Sequence, residues 1–397
     1  MTKKSILIAT NLDVWSIKKG VGAPSFYKTL ELYNNKKFKV YFYTTEKNCD
    51  ISELTNIEII KLPKLKTFNI RYIYSIHRLV NYVLYQFIFL FFYFSKQKEK
   101  IDLIYGYEIE FIPSLCLLSK ILKKPFVSRF QGTILYPLME KKLWEIRYFP
   151  HYFSIKQKSD LTIMTDDGTK GDYVMDIIRN GTDNMLFLKN GVDFLEIDKS
   201  KISRKVKSLY DDMISYEYNF ISVSRLQSWK RVDRSIDVFS NFAKINTSSR
   251  YIIIGDGESK KDLEEKVKNE IDISDKVIFT GGLNAQEVHY LMSRSKIFLS
   301  HYELSNVGNP LWEAINNNCL IVTVNNGDTG RIIVDNQNGI ISEENDYLEN
   351  SSKLLELVSK TEKMENLIYN AKNTLTNNVS TWDKRMQKEY IKVNDLL

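Results

Sequence analysis

Residues 296–318 read KIFLSHYELSNVGNPLWEAINNN, and this stretch decides the fold. The apolar run Ile297-Phe298-Leu299 predicts a strand, and a polar loop from Glu303 to Gly308 follows it. Pro310 then opens a helix that carries Leu311, Trp312, Glu313, Ala314 and Ile315. Proline suits a first helical turn because its missing N–H has no intrahelical partner there. A strand, a loop with Gly308 and Asn309, and a helix start together present free backbone N–H groups, an arrangement that receives an anion. Glu313 lies about one turn inside the helix, within reach of sugar hydroxyls. The layout suits a phosphorylated sugar or a nucleotide.

The same strand-then-helix pattern extends in both directions. Strands are expected near 219–224, 250–254, 277–280, 296–299, 320–324 and 339–342. Helices are expected at about 231–245, 259–270, 285–293, 310–317 and 346–372. An earlier set of strands is expected at 5–10, 38–44, 57–62, 103–107, 125–130, 161–165 and 185–188. Such alternation argues for parallel, doubly wound sheets. A chain of 397 residues is too long for one compact core. The expected division is 1–196 and 197–379, with 197–217 as a charged bridge. A final helix over 380–397 carries Trp382, Met386, Tyr390 and Val393 on one face.

Composition excludes several classes. Hydrophobic residues make up 43% and charged residues 26%, as in a globular protein. Cys49, Cys116 and Cys319 are scattered, with no CxxC and no metal-ligand spacing, which fits a reducing compartment. The start MTKKSILIAT has an apolar run too short for a signal peptide and reads as a first buried strand. His77, His151, His289 and His301 show no ligand spacing and read as structural. No Asp-x-Asp occurs, so no metal is expected.

Charge is uneven. Residues 1–150 carry 24 Lys and Arg against 12 Asp and Glu; the whole chain is +7, so the remainder is −5. A basic first half suits either an anionic membrane surface or a phosphorylated acceptor, or is a solvated Lys-rich surface. The run VLYQFIFLFFYF (83–94) is too short to cross a bilayer. It is expected as a helix buried on the first sheet, with one face free to touch lipid. No unbroken apolar run reaches the length of a span, so any membrane contact is expected to be peripheral.

Four further pieces identify a family. They are FISVSRLQSWKRVDRSIDVF (220–239), RYIIIGDGES (250–259), KVIFTGGLNAQEVHYLMSRSKIFLS (276–300) and CLIVTVNNGDTGRIIVDNQNGIIS (319–342). With 296–318, in this order and spacing, they resemble the nucleotide-binding half of a retaining GT-B glycosyltransferase of family 4. The resemblance is strong over about 220–345. It continues more weakly through Gly20 and Gly22, the strand end at Arg129–Gly132, and the turn Asn190-Gly191-Val192-Asp193. It implies an α/β fold of two doubly wound, Rossmann-like domains facing a central cleft. The first would bind the acceptor and the second the nucleotide sugar, with the last helix crossing back to the first.

The resemblance also implies roles. Arg225 closes the strand FISVSR and Lys230 stands five residues on; both match the family's basic pair, which grips the donor diphosphate. Fixed cations there stabilise the charge that builds on the leaving group. Glu313 matches the acid that holds the donor ribose. Gly282, Leu283, Gly308, Asn309, Pro310 and Leu311 are expected along the donor, with Gly22 facing it across the cleft. The family's earlier Glu, near the transferred sugar, falls at Ser305 here; Ser305, Asn306 or Glu303 is expected in its place. Gly20, Arg129, Gln131 and Gly132 are expected at the acceptor. Many relatives have His where Gln131 stands, and glutamine orients a hydroxyl rather than taking its proton. Asp166 and Asp167 read as turn caps before acceptor contacts.

The implied activity is metal-independent, retaining transfer of a hexose-type sugar from UDP or GDP, without a cofactor, to a glycan or lipid-linked acceptor of a surface polysaccharide. The expected place is the cytoplasm, with peripheral contact at the inner face of the cell membrane. Two other readings stay open: a nucleotide-sugar epimerase, and a non-catalytic GT-B subunit supporting a partner transferase. Nucleic acid is not an expected partner. A dehydrogenase is disfavoured because no GxGxxG follows the first strand.

Overall fold

The computed structural model describes residues 4–12, 24–46, 51–66, 74–97, 99–193 and 196–397. The first sheet contains β1 (Ser5–Thr10), β2 (Lys39–Thr44), β3 (Ile57–Lys61), β4 (Leu103–Tyr107), β5 (Phe126–Phe130), β6 (Leu161–Thr165) and β7 (Met185–Leu188). All pairings are parallel, in the order β3-β2-β1-β4-β5-β6-β7. Helices cover both faces, so the inner strands are buried along their whole length and read as apolar runs without alternation.

The second sheet contains β8 (Tyr218–Val223), β9 (Ser249–Ile254), β10 (Val277–Gly281), β11 (Ile297–Ser300), β12 (Leu320–Asn325) and β13 (Ile340–Glu343). It is also parallel, in the order β10-β9-β8-β11-β12-β13. Strand order reverses between β1 and β4 in one sheet and between β8 and β11 in the other. Such reversals open a crevice at the carboxyl ends of the strands, where doubly wound folds bind ligands.

The helix expected over 346–372 is two helices, Glu349–Val358 and Thr361–Asn378. They separate at Lys360, whose φ of −118° and ψ of 70° leave the helical region. The last helix, Trp382–Asn394, packs on the helix Ser25–Asn35 of the first unit. Thr381 accepts a capping hydrogen bond from Lys384 N–H, and Trp382 N–H donates to Asp193 at 3.2 Å. Gly191 lies so close to the Trp382 backbone that a Cβ there would overlap it.

That helix buries charge as well as apolar surface. Trp382, Met386 and Val393 are buried, each contributing roughly 1.5–3 kcal/mol. Arg385 and Glu389 are buried beside them. Glu389 accepts from Arg129 at 2.7 Å and from Tyr105 at 2.7 Å, and also from Arg385. Burial works against its charge, but Arg129 and Arg385 outweigh burial and hold the carboxyl below its ordinary range.

The apolar run at 83–94 packs one face on the first unit and leaves the other free, as expected, but its helix extends well beyond the run. It is part of one helix of 23 residues, Tyr74–Lys96. Tyr82, Tyr85, Phe89 and Tyr93 face the first sheet and are buried. Val83, Leu84, Phe87, Phe91 and Phe94 face outward and are exposed. Counted as a helix, Ile76–Lys96 is long and apolar enough to cross a membrane by length and composition, although no unbroken run showed it.

Candidate active site

Five strand ends and one helix start enclose a cavity of about 540 Å³ between the two units. The first unit contributes Glu108 after β4, Gln131, Gly132 and Thr133 after β5, and Asp167 and Thr169 after β6. The second contributes Arg225, Gln227, Trp229 and Lys230 after β8, and after β11 Tyr302, Leu304 to Gly308, Pro310 and Leu311. These pieces follow the carboxyl ends of parallel strands, as the two order reversals require, and His151 and Ile155 of the helix Phe149–Lys156 complete the lining.

The β8 loop is held before any ligand arrives. Residues Ser228–Lys230 form one 3-10 turn, and Lys230 N–H donates to Gln227 O at 2.9 Å. Glu303 N–H donates to Trp229 O at 3.0 Å, joining this loop to the one after β11. The Lys230 ammonium lies over two rings, 4.1 Å from the Trp229 centroid and 3.7 Å from that of Tyr302. Such rings hold a cation by their quadrupole without neutralising it. Burial, reinforced by Arg225, pushes the ammonium down to about 7. A cation held in a semi-dry wall beside Arg225 favours an anionic ligand that restores its proton.

The loop after β11 is built around Asn306. Its side chain accepts from Tyr302 N–H at 3.0 Å and donates to Asn326 Oδ1 at 3.0 Å, while its own N–H donates to Thr329 at 3.0 Å. Ser305 O–H donates to Asp167 O at 2.8 Å and accepts from Val307 N–H at 3.1 Å. Asp328 N–H donates to Gly168 O at 2.9 Å. The hydroxyl at the position of the family's earlier glutamate therefore ties the two units together.

The helix Asn309–Asn316 starts at Gly308 with Pro310 in its first turn, as read from the sequence. Gly308, Pro310 and Leu311 line the cavity; Asn309 does not. Glu313 is half-buried one turn further on, outside the lining residues. Its carboxylate has no hydrogen bond or ion pair among the described residues, and burial pushes it up to about 7. An unpartnered, recessed carboxylate at a helix start is suited to accept from ligand hydroxyls.

The wall expected to hold an acceptor differs more from expectation. Gln131 lines the cavity; its N–H donates to Glu108 at 2.7 Å and its amide to Tyr107 O–H at 2.8 Å. Gly132 has a φ of +96°, and a Cβ there would fall on the Asp167 carboxylate. Gly132→Ala is therefore expected to lower the melting temperature by the equivalent of more than about 1 kcal/mol, checked by thermal denaturation. An unchanged melting point would mean that the Asp167 loop yields freely.

Two carboxyls stand in this half, of which Asp167 was read from the sequence as a turn cap and Glu108 was missed. Burial pushes Glu108 up to about 7 and Asp167 up to about 6. Asp167 does cap its turn, accepting from Thr169 O–H at 2.6 Å, yet it also faces the cavity. Glu108 follows a plain strand and gave no signal; its φ of 62° turns the chain into the cleft. His151 lines the cavity and is held neutral by burial at about 4.

Several expected ligands lie elsewhere. Arg129 lies within β5 and is fully buried under the last helix, paired with Glu389, whereas Gln131 stands beyond the strand's carboxyl end, at the cleft. Glu303 is exposed and pairs with Arg231 at 3.2 Å, which draws it out of the cavity. Gly282 and Leu283 lie outside the lining, and Leu283 packs on the second unit's core. Asp166 pairs with Lys189 at 2.7 Å. His301 is buried between Ser235, 2.8 Å away, and Asn350, 3.1 Å away, so it is structural. Gly20 and Gly22 lie outside the described residues.

Comparison with known proteins accords with this geometry. Residues 214–374 match the family model described as glycosyl transferases group 1. No curated protein matches the chain in sequence. Among solved structures, Anabaena HepE, crystallised with UDP and glucose, aligns with a TM-score of 0.69 at 14% identity, covering 98% of this chain and 100% of that one. Sucrose-phosphate synthase from Thermosynechococcus elongatus aligns with a TM-score of 0.72 at 12% identity, covering 100% of both chains. WaaG, a glycosyltransferase involved in lipopolysaccharide biosynthesis, aligns at 0.64 and 13% identity, covering 94% of this chain and 95% of its own. The fold is therefore the two-domain GT-B architecture.

Proposed function

We propose that this protein is a glycosyltransferase that takes a sugar from a nucleoside diphosphate, UDP or GDP, and gives it to a sugar hydroxyl of a glycan or a lipid-linked acceptor. The observation that carries the reading is Lys230, an ammonium held over two aromatic rings beside Arg225 at the switch point of the second sheet. The match of residues 214–374 to group 1 glycosyl transferases supports it independently. A surface polysaccharide as the product follows from the family resemblance and the basic first unit.

In this reading Arg225 and Lys230 bind the donor diphosphate. The start of the helix Asn309–Asn316 adds the positive end of its dipole, while the Gly308 N–H is held by Asn306 O at 3.0 Å. Glu313 accepts from the ribose hydroxyls. Gln131 and Glu108 orient the acceptor hydroxyl from the other wall. As the glycosidic bond to phosphate breaks, the departing oxygen gains charge that Arg225 and Lys230 already face. Two cations in that position take the part a metal ion plays elsewhere. No group of three metal-ligating side chains occurs among the described residues.

The retaining outcome is proposed on the resemblance together with the state of the carboxyls. Glu108 and Asp167 are both pushed toward the neutral form, which weakens either as a nucleophile. Attack from the face that the phosphate leaves, with that phosphate taking the acceptor proton, needs no enzyme nucleophile. Ser305 and Asn306 border the space for the transferred sugar.

Lys230 gives a pH test. Its proton is half lost near pH 7 in the free protein, and a bound diphosphate favours the protonated form. Binding of a nucleotide sugar must then take up a proton above that pH. Affinity is expected to fall by up to about tenfold per pH unit as pH rises above 7. Lys230→Arg keeps the charge at all these values and should flatten the profile. Calorimetric titration across pH 6 to 9 reads both. A flat profile in the natural protein would remove Lys230 from the diphosphate.

A further inference from the structure

The first unit carries an apolar ridge that the cleft does not explain. On the helix Tyr74–Lys96, Ile76 is 64% exposed, Phe87 and Phe91 are each 68% exposed, and Phe94 is 59% exposed. Leu79, Val80, Val83 and Leu84 complete the stripe. These positions recur every three or four residues, so they form one face about 27 Å long. The helix Ile112–Leu122 packs alongside and adds exposed Leu117 and Ile121. A soluble surface seldom leaves so long a contiguous apolar patch uncovered.

Within the two ridge helices charge has one sign, with Glu110 facing Arg78 beside them. Residues 74–96 and 112–124 contain Arg78, Lys96, Lys120, Lys123 and Lys124, and no Asp or Glu. Lys96, Lys120 and Lys123 are exposed. The short helix Trp144–Arg147 repeats the pattern, with exposed Leu143 and Ile146 among Lys141, Lys142 and Arg147, alongside Glu140 and Glu145. A convex apolar ridge edged by cations matches the acyl boundary and anionic headgroups of a bilayer.

We propose that this ridge seats the protein on an anionic phospholipid bilayer, with the helix Tyr74–Lys96 lying in the interface. The helix does not cross it. Its other face is built into the fold: Tyr82 O–H lies 2.6 Å from the Ser154 hydroxyl, Gln86 donates to Glu110 O at 2.6 Å, and Tyr85 O–H accepts from Leu65 N–H at 2.9 Å. Crossing would strip those contacts and expose the buried aromatic face of Phe89 and Tyr93 to the sheet's vacated side.

Seating has a consequence for the cleft. The helix Phe149–Lys156 meets the ridge helix through Ser154, and its His151 and Ile155 line the cavity. The bilayer surface thus lies one helix away from the acceptor half. A lipid-linked sugar is then the acceptor class this geometry favours, a step that rests on the transferase reading. The docking itself does not.

The test uses flotation of the full chain with vesicles of phosphatidylcholine alone and of phosphatidylcholine mixed with phosphatidylglycerol. The natural protein is expected to float with the mixed vesicles and to bind phosphatidylcholine at least about tenfold more weakly. Phe87→Asp with Phe91→Asp should weaken binding to mixed vesicles by more than about tenfold. Lys120→Glu with Lys123→Glu should weaken it less and reduce its salt dependence. An unchanged melting temperature in both variants shows that they fold; Phe87→Ser with Phe91→Ser serves if the aspartates do not. Natural protein that stays unbound on mixed vesicles overturns the proposal. So does an aspartate variant that binds as well as the natural chain, or a natural dimer, blind to vesicles, that the aspartates dissociate.

Discussion

Replacing Arg225 and Lys230 together with alanine is expected to reduce sugar transfer by about a thousandfold or more. Removing one preorganised partner of a developing charge typically costs about 10²–10³ in rate. In the proposed site both cations face the same leaving group, and Lys230 is already fixed between Trp229 and Tyr302. Neither side chain makes an ion pair among the described residues, so the fold loses little when they go. The melting temperature without ligand should therefore stay close to that of the natural protein while turnover collapses. Release of nucleoside diphosphate from a nucleotide sugar and an acceptor glycan reads the rate. Full turnover in the double variant would show that the diphosphate is bound elsewhere.

Glu389→Ala is expected to cause the largest loss of stability of any single change at the last helix. It would leave two buried guanidinium groups, Arg129 and Arg385, without their shared carboxylate. Breaking a buried pair by removing one partner costs about 3–5 kcal/mol, because the remaining charge stays out of water. The loss should appear as detachment of residues 382–394, read by amide hydrogen exchange, before the sheets unfold. Acid should imitate the substitution. Glu389 is held below the ordinary carboxylate range, so its contribution is complete above that range and is lost as pH falls through its own lower value. Unchanged exchange in the variant would mean that Trp382, Met386 and Val393 hold the helix alone.

The sheets were legible because their strands are covered on both faces. Ile6 to Ala9 and Ile297 to Leu299 are buried throughout, so burial left an unbroken apolar signature in each. One wall of the cavity was partly legible for a related reason. Arg225, Lys230, Gly308, Pro310 and Leu311 sit at strand ends and a helix start whose local chemistry marks them. The opposite wall was not. Glu108 reaches the cavity through one left-handed residue, and no pattern in the neighbouring sequence marks it. Arg129 was misplaced because it still lies inside β5, where it pairs with Glu389; Gln131, beyond the strand end, lines the cleft instead. Arg385 and Glu389, four residues apart, look like a solvated helical pair, and only their partner on β5 makes them interior. Ser305 shows the same limit, since its role depends on Asp167 in the other unit. Local pattern reports the element; charges paired across the fold report only in three dimensions.

The most direct test of the account is calorimetric titration of UDP and of GDP into the natural protein and into the Arg225→Ala, Lys230→Ala double variant, without metal, near pH 7. The account predicts that one of the two nucleotides binds the natural protein and that its affinity falls by at least about a hundredfold in the variant, the equivalent of two charge-assisted contacts. Equal binding to both proteins, or binding of neither nucleotide to the natural chain, would contradict the donor site built here on Arg225 and Lys230.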